Sequence, residues 1–292
     1  MSIKNIELVL TPPEPHFVGD GFRVHNFIPG GYRTDMERMN PFILLDYGAK
    51  FYFPPSDHPL GVGVHPHRGF ETVTIAYKGR VAHHDSTGES GVIGEGDVQW
   101  MTAASGILHK EYHEKEFSRE GGELQMVQLW VNLPAKYKMS APKYQSLTNG
   151  QISKVKLEGD AGSVEVIAGE YNHVKGSAYT FSPIHLLNVK LNKGGKADFS
   201  FPEVYNSALL VLEGKVTVNG SEEVPANHFA LFQNDGETFD IESAEDAIVL
   251  VMSGEDLSEP IAAHGPFVMN TRQEILQAFE DYQKGKFGYL KD

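Results

Sequence analysis

Gly61-Val-Gly-Val-His65-Pro-His67-Arg-Gly-Phe-Glu71-Thr-Val-Thr-Ile-Ala-Tyr-Lys-Gly79 carries the signal that decides the fold. Its second half alternates apolar and polar residues, which predicts a strand. Its first half sets two imidazoles at i and i+2, and on a strand such residues project from one face. About forty residues later His109-Lys-Glu111 repeats that spacing with an imidazole and a carboxylate. If the two strands are neighbours facing one barrel interior, His65, His67, His109 and Glu111 converge on one point.

Working outward, similar patterning recurs over Gly69–Lys78, Leu124–Leu133, Ser163–Ala168, Ile184–Leu191 and Ala208–Leu212. The 30 Gly and 16 Pro are scattered between such runs, as a protein of many short strands and turns requires. One helix is predicted near the end: Thr271 as N-cap, Glu274 three residues on, then Ile275, Phe279 and Tyr282 at helical spacing. An internal repeat is visible. Tyr77-Lys-Gly-Arg-Val81 matches Leu212-Glu-Gly-Lys-Val216, and Gly96-Asp-Val-Gln-Trp-Met101 matches Asn227-His-Phe-Ala-Leu-Phe232. The expectation is an all-β chain of two jelly-roll barrels in tandem with a short C-terminal helix. The division read from the sequence is 1–134 for a metal-binding barrel, 135–150 for a polar, proline-containing linker, and 151–292 for a second, metal-free barrel with the helix. Counting back from Gly214 as from Gly79, the counterpart of His65-Pro-His67 falls on Ser200-Phe-Pro202. His185 and His228 are isolated from one another and from any second ligand in that half.

Composition narrows the function classes. The formal net charge is −14, from 25 basic and 39 acidic residues, with no basic run. Nucleic-acid backbones and anionic membrane surfaces both demand the opposite sign, so neither partner is expected. With no cysteine, any metal must be held by imidazole and carboxylate. The N-terminal Met1-Ser-Ile-Lys-Asn-Ile-Glu7 does not read as a signal peptide, no apolar run reaches the ~20 residues that span a bilayer, and a cytoplasmic protein is the expectation.

Seven of the 13 histidines (His58, His65, His67, His83, His84, His109 and His113) lie in the segment 58–113. Three neutral imidazoles and one carboxylate suit a divalent first-row transition metal and leave two positions open on an octahedral ion. Zinc accepts the same donors. His83 and His84 read as strand or rim residues, His58 as a loop residue, and His113 as a neighbour of the metal shell. Phe53, Phe70, Trp100 and Met101 read as core and pocket wall.

The spacing of Gly61, His65, His67, Glu71, Gly79, Gly96 and His109 resembles the cupin fold. The resemblance then becomes closer. His65-Pro-His-Arg-Gly-Phe-Glu-Thr-Val73, His84-Asp-Ser86, Gly96-Asp-Val-Gln-Trp-Met-Thr102, Ser105-Gly-Ile-Leu-His109 and the tail Gly265-Pro-Phe-Val-Met-Asn-Thr-Arg272 resemble the pirin family. That resemblance implies a bicupin with one Fe(II) per chain, held in the N-terminal barrel by His65, His67, His109 and Glu111. The donor set itself also admits Mn, Ni, Cu, Co or Zn. Glu71 is a ligand in the general cupin pattern and stands behind the ligands in the pirin pattern. Lys110 replaces a common Ser and should point away from the metal.

The resemblance implies quercetin 2,3-dioxygenase activity: a flavonol and dioxygen as substrates, cleavage at C2–C3 and loss of carbon monoxide. A base must take the flavonol 3-hydroxyl proton. Glu111 is favoured and Glu71 is the other candidate. The resemblance equally includes iron-dependent regulators that bind transcription factors or metabolic enzymes, with the iron as a redox switch. A structural cupin without activity is the third reading, disfavoured by an intact ligand set in one half only.

Overall fold

The strand predicted from the deciding stretch forms over Phe70–Lys78 and lies between two antiparallel neighbours, Val98–Thr102 and Gly122–Asn132. The structure, a computed structural model, describes residues 2–31 and 33–291. These three strands belong to a seven-stranded sheet in the order 143–147, 98–102, 70–78, 122–132, 42–53, 22–28, 16–18. A four-stranded sheet, in the order 61–67, 107–113, 81–85, 90–93, makes the second wall. Hydrogen bonds from Thr74, Gln99 and Gln128 of the large sheet reach Glu111 of the small one, so these two inner faces close one barrel. Strand periodicity then orients the rest. Thr72 and Thr74 face inward, whereas Glu71, Val73 and Ile75 face the other way.

The second barrel repeats this plan. Its large sheet runs 6–10, 229–232, 206–213, 247–254, 184–191, 162–168, 153–156, and its small sheet runs 196–200, 238–242, 215–218, 222–225. The repeat extends to backbone conformation. Gly79 and Gly214 have φ of 76° and 71°, and Gly96 and Asn227 have φ of 84° and 64°. Asn is among the few side chains that tolerate this left-handed region, so the repeat survives a change of residue there. The counterpart of the HPH pair is corrected by one residue. Phe199 pairs with Phe239 as His65 pairs with His109, and Phe199 and Phe201 are buried while Ser200 is exposed. Counting from the glycine misses that register by one, and a slip of one residue exchanges the two faces of a strand. The inward positions carry Phe199, Phe201 and Phe239, with Phe199 and Phe239 stacked at 5.0 Å. His185 and His228 turn Nδ1 toward the backbone carbonyls of Glu170 and Ala226.

The compact units depart from the boundaries read from the sequence. The first barrel comprises Pro13–Glu37, Phe42–Asn149 and the tail from Leu257; the second takes the N-terminal residues through Pro12, Arg38–Pro41 and Gly150–Asp256. The segment 135–150 is not a free linker. Lys143–Leu147 is the edge strand beside Val98–Thr102, and Lys138 is buried, donating to the carbonyls of Gly69 and Val268. A polar composition hid this, because edge strands and buried lysines both look like loop in one dimension. The C-terminal helix, Arg272–Gln283, has the expected capping box between Thr271 and Glu274. It packs on the hairpin of Ala262–His264 and Phe267–Met269. Thr271→Ala is expected to lower stability by about 1 kcal/mol in urea unfolding, the usual effect of losing such a cap. Among the described residues no helix is long and apolar enough to cross a membrane.

Candidate metal centre

His65 and His109 are direct partners across the antiparallel pair of Gly61–His67 and Ile107–His113, and His67 pairs with Ile107. A bulge follows, so that Glu111 pairs with Val62. The result gathers three imidazoles. Ring centroids lie 4.2 Å apart for His65 and His109, and 4.8 Å apart for the other two pairs. One nitrogen from each ring lies within 4.8 Å of the other two.

The fit of this cluster to a metal ion can be judged from its own atoms. His65 Nδ1 lies 2.8 Å from the Gly63 carbonyl and His67 Nδ1 lies 3.4 Å from that of Pro266. A carbonyl only accepts, so each of these Nδ1 atoms carries a proton and Nε2 is the atom each ring can offer to an ion. His109 is wholly buried, and neither of its nitrogens has a hydrogen-bond partner. A buried polar atom left unsatisfied costs about 1–3 kcal/mol, a cost that metal ligation removes. Burial, with the charge of neighbouring histidines, holds the pKa of His67 and of His109 well below the ordinary imidazole value. The neutral form is the one that ligates. The donor set therefore fits a divalent transition metal.

Glu111 lies on the same strand face two residues from His109, and it is buried. It stands beside the three-nitrogen group rather than within it. Its Oε1 accepts from Thr74 Oγ1 at 3.2 Å and from Gln99 Nε2 at 3.5 Å, and its Oε2 accepts from Gln128 Nε2 at 2.8 Å. Burial raises its pKa, against the opposing pull of His65 and of the Gln128 and Thr74 hydrogen bonds. Glu71 is not brought to the histidines. Three residues from Thr74 on a regular strand, it faces the opposite side, where Thr102 Oγ1 donates to it at 2.7 Å. Burial pushes its pKa up to about 7.

The remaining candidates separate cleanly. His84 faces outward and meets the Tyr112 hydroxyl at 2.9 Å. Lys110 also faces outward, donating to the carbonyl of Lys291. His58 is exposed, and His113 is set among Phe22, Phe53 and Phe117 with its Nε2 at the Gly21 carbonyl. Trp100 and Met101 are core. Phe70 and Trp130 stack at 4.2 Å and both abut His67. His83 is the residue that sequence reasoning undervalued. It pairs with Glu111 across the strands, so it shares the inner face; it is fully buried, and neither nitrogen has a partner. Its ring stacks on Tyr144 at 4.5 Å. Burial lowers its pKa to about 4. The i, i+2 spacing of His83 and Asp85 was the available signal, since it repeats that of the ligand pairs.

Residues 21–131 match the Pirin family profile, and 186–288 match the profile of the pirin C-terminal cupin domain. The chain belongs to the pirin family. A Pseudomonas aeruginosa protein named "putative quercetin 2,3-dioxygenase" is 50% identical over 272 residues, 93% of this chain and 94% of its own. A crystal structure of quercetin 2,3-dioxygenase from Acinetobacter baumannii has 45% identity and a TM-score of 0.93, covering 99% of this chain and 100% of that one. A bacterial pirin from Escherichia coli, solved in complex with nickel(II), shares the fold at 18% identity and a TM-score of 0.64, covering 85% and 100%.

Proposed function

We propose that this pirin is a metal-dependent dioxygenase that opens flavonols such as quercetin at the C2–C3 bond, with one divalent ion, Fe(II), held by His65, His67, His109 and Glu111. The observation that carries the reading is the group of three imidazoles, His67 and His109 buried and held neutral, with one nitrogen of each ring within 4.8 Å of the others. The names of the relatives support the substrate class.

When bound, the ion supplies a Lewis acid that lowers the pKa of the flavonol 3-hydroxyl. The chain's own groups do the rest. Glu111 takes the 3-hydroxyl proton at a carboxylate oxygen. Thr74, Gln99 and Gln128 hold that carboxylate in one orientation. Phe70 and Trp130 wall the His67 side of the site with apolar surface and exclude water from it.

The test is an oxygen electrode with quercetin, run on protein loaded anaerobically with Fe(II) and on the same protein after chelation. Oxygen uptake with release of carbon monoxide is expected from the loaded protein alone. A fully loaded protein that consumes no oxygen with any flavonol overturns the reading and favours the iron-dependent regulator.

A further inference from the structure

The two strands that bear the histidines are gripped by a segment that lies far away in sequence. The first grip is beside His67. Arg68 Nη1 meets Asp281 Oδ2 of the C-terminal helix at 2.9 Å, and both side chains are buried. The Arg68 guanidinium lies 4.7 Å from the centroid of the Phe287 ring, and its Nε donates to the Ser105 carbonyl at 2.7 Å. The backbone follows: Val268 N donates to the Arg68 carbonyl at 3.0 Å, and Pro266 supplies the carbonyl that faces His67 Nδ1. A Cβ at Gly69 would lie 1.9 Å from the Val268 carbonyl oxygen, so the approach is closed to any larger residue.

The second grip is beside His109. Ser86 Oγ donates to the Phe287 carbonyl at 2.6 Å and accepts from Leu108 N at 3.0 Å. One hydroxyl thus links the tail to the residue next to the second histidine strand's ligand. A buried ion pair adds little net stability over an apolar pair, because desolvation offsets the attraction. This one ties the helix to the residue next to His67.

We propose that the C-terminal tail is a clasp on the metal centre, with Asp281 and Ser86 as positioning residues for His67 and His109. The clasp holds the donor nitrogens at ligating distance, so that opening it releases the ion. This rests on the reading of the three histidines as metal ligands. Groups that orient ligands from behind typically change metal affinity by about 10–100-fold.

The test uses the full chain loaded with cobalt(II), whose visible absorption reports its ligands, and follows release to excess EDTA. Asp281→Asn and Ser86→Ala are each expected to speed release by about ten-fold, and the pair to speed it further. Val249→Ala, in the core of the second barrel, serves as a control that lowers the melting temperature without changing release. Should Asp281→Asn fail to fold, Ser86→Ala carries the test alone. Variants that release cobalt at the wild-type rate, whatever their melting temperature, overturn the clasp while leaving the ligand reading intact. A wild-type chain that takes up no cobalt, nickel or iron overturns both.

Discussion

His109→Ala is expected to abolish both metal retention and flavonol-dependent oxygen uptake, and to make the protein's stability indifferent to chelators. Of the four proposed ligands, His109 is the one with no exposed surface and, among the described residues, no hydrogen-bond partner, so ligation by an ion satisfies a nitrogen that burial leaves bare. A bound ligand stabilises the native state by RT ln(1 + [L]/Kd), which is about 4.1 kcal/mol at a thousandfold excess over Kd. Wild-type protein should therefore melt at a distinctly lower temperature after chelation, while His109→Ala melts at the same temperature with and without chelator. His84→Ala, on the outward face of its strand, should keep both metal and turnover. Elemental analysis and thermal melts decide the matter. A His109→Ala protein with a full complement of metal would remove His109 from the ligand set.

The pattern that exposed the site was legible because strands have period two. Residues at i and i+2 share a strand face, and the antiparallel pairing of the two strands then brings His65, His67 and His109 together. What period two could not supply was sheet order. Thr74, Gln99 and Gln128 come from three different strands of the opposite sheet, and no local spacing links them to Glu111. Glu71 shows the limit from the other side. Four residues after His67, it fits a ligand motif by count, yet the turn at Gly69 and the new strand from Phe70 aim it away from the barrel interior. The tail was misassigned for a related reason. Its helix was recognisable from its cap, but the barrel it serves depends on Arg68 and Asp281, which are 213 residues apart. His83 stands in an adjacent histidine pair, and which half faces inward is set by its register with Glu111.

Glu111→Gln separates the roles proposed for the carboxylate. The amide keeps size and an acceptor oxygen but neither ligates strongly nor takes a proton. Loss of a general base typically lowers the rate by about 10²–10⁴-fold. The expected result is a fall of that order in kcat, with metal held, more weakly, by the three imidazoles. The pH dependence of the metal-free protein's stability gives a second reading. A carboxyl whose folded pKa is raised binds more protons when native, so its contribution is lost as pH rises past the unfolded value. His67 and His109, with depressed folded pKa values, act with the opposite sign: below about pH 6.5 the unfolded chain binds their protons and the native state does not. Removing Glu111 takes away the opposing slope. The metal-free Glu111→Gln protein should therefore gain stability over metal-free wild type near neutral pH and lose that advantage toward pH 4.5. Urea unfolding at several pH values measures this directly. A constant difference across the range would mean that the Glu111 pKa is not raised on folding, the pull of His65 and of the Gln128 and Thr74 hydrogen bonds having offset burial.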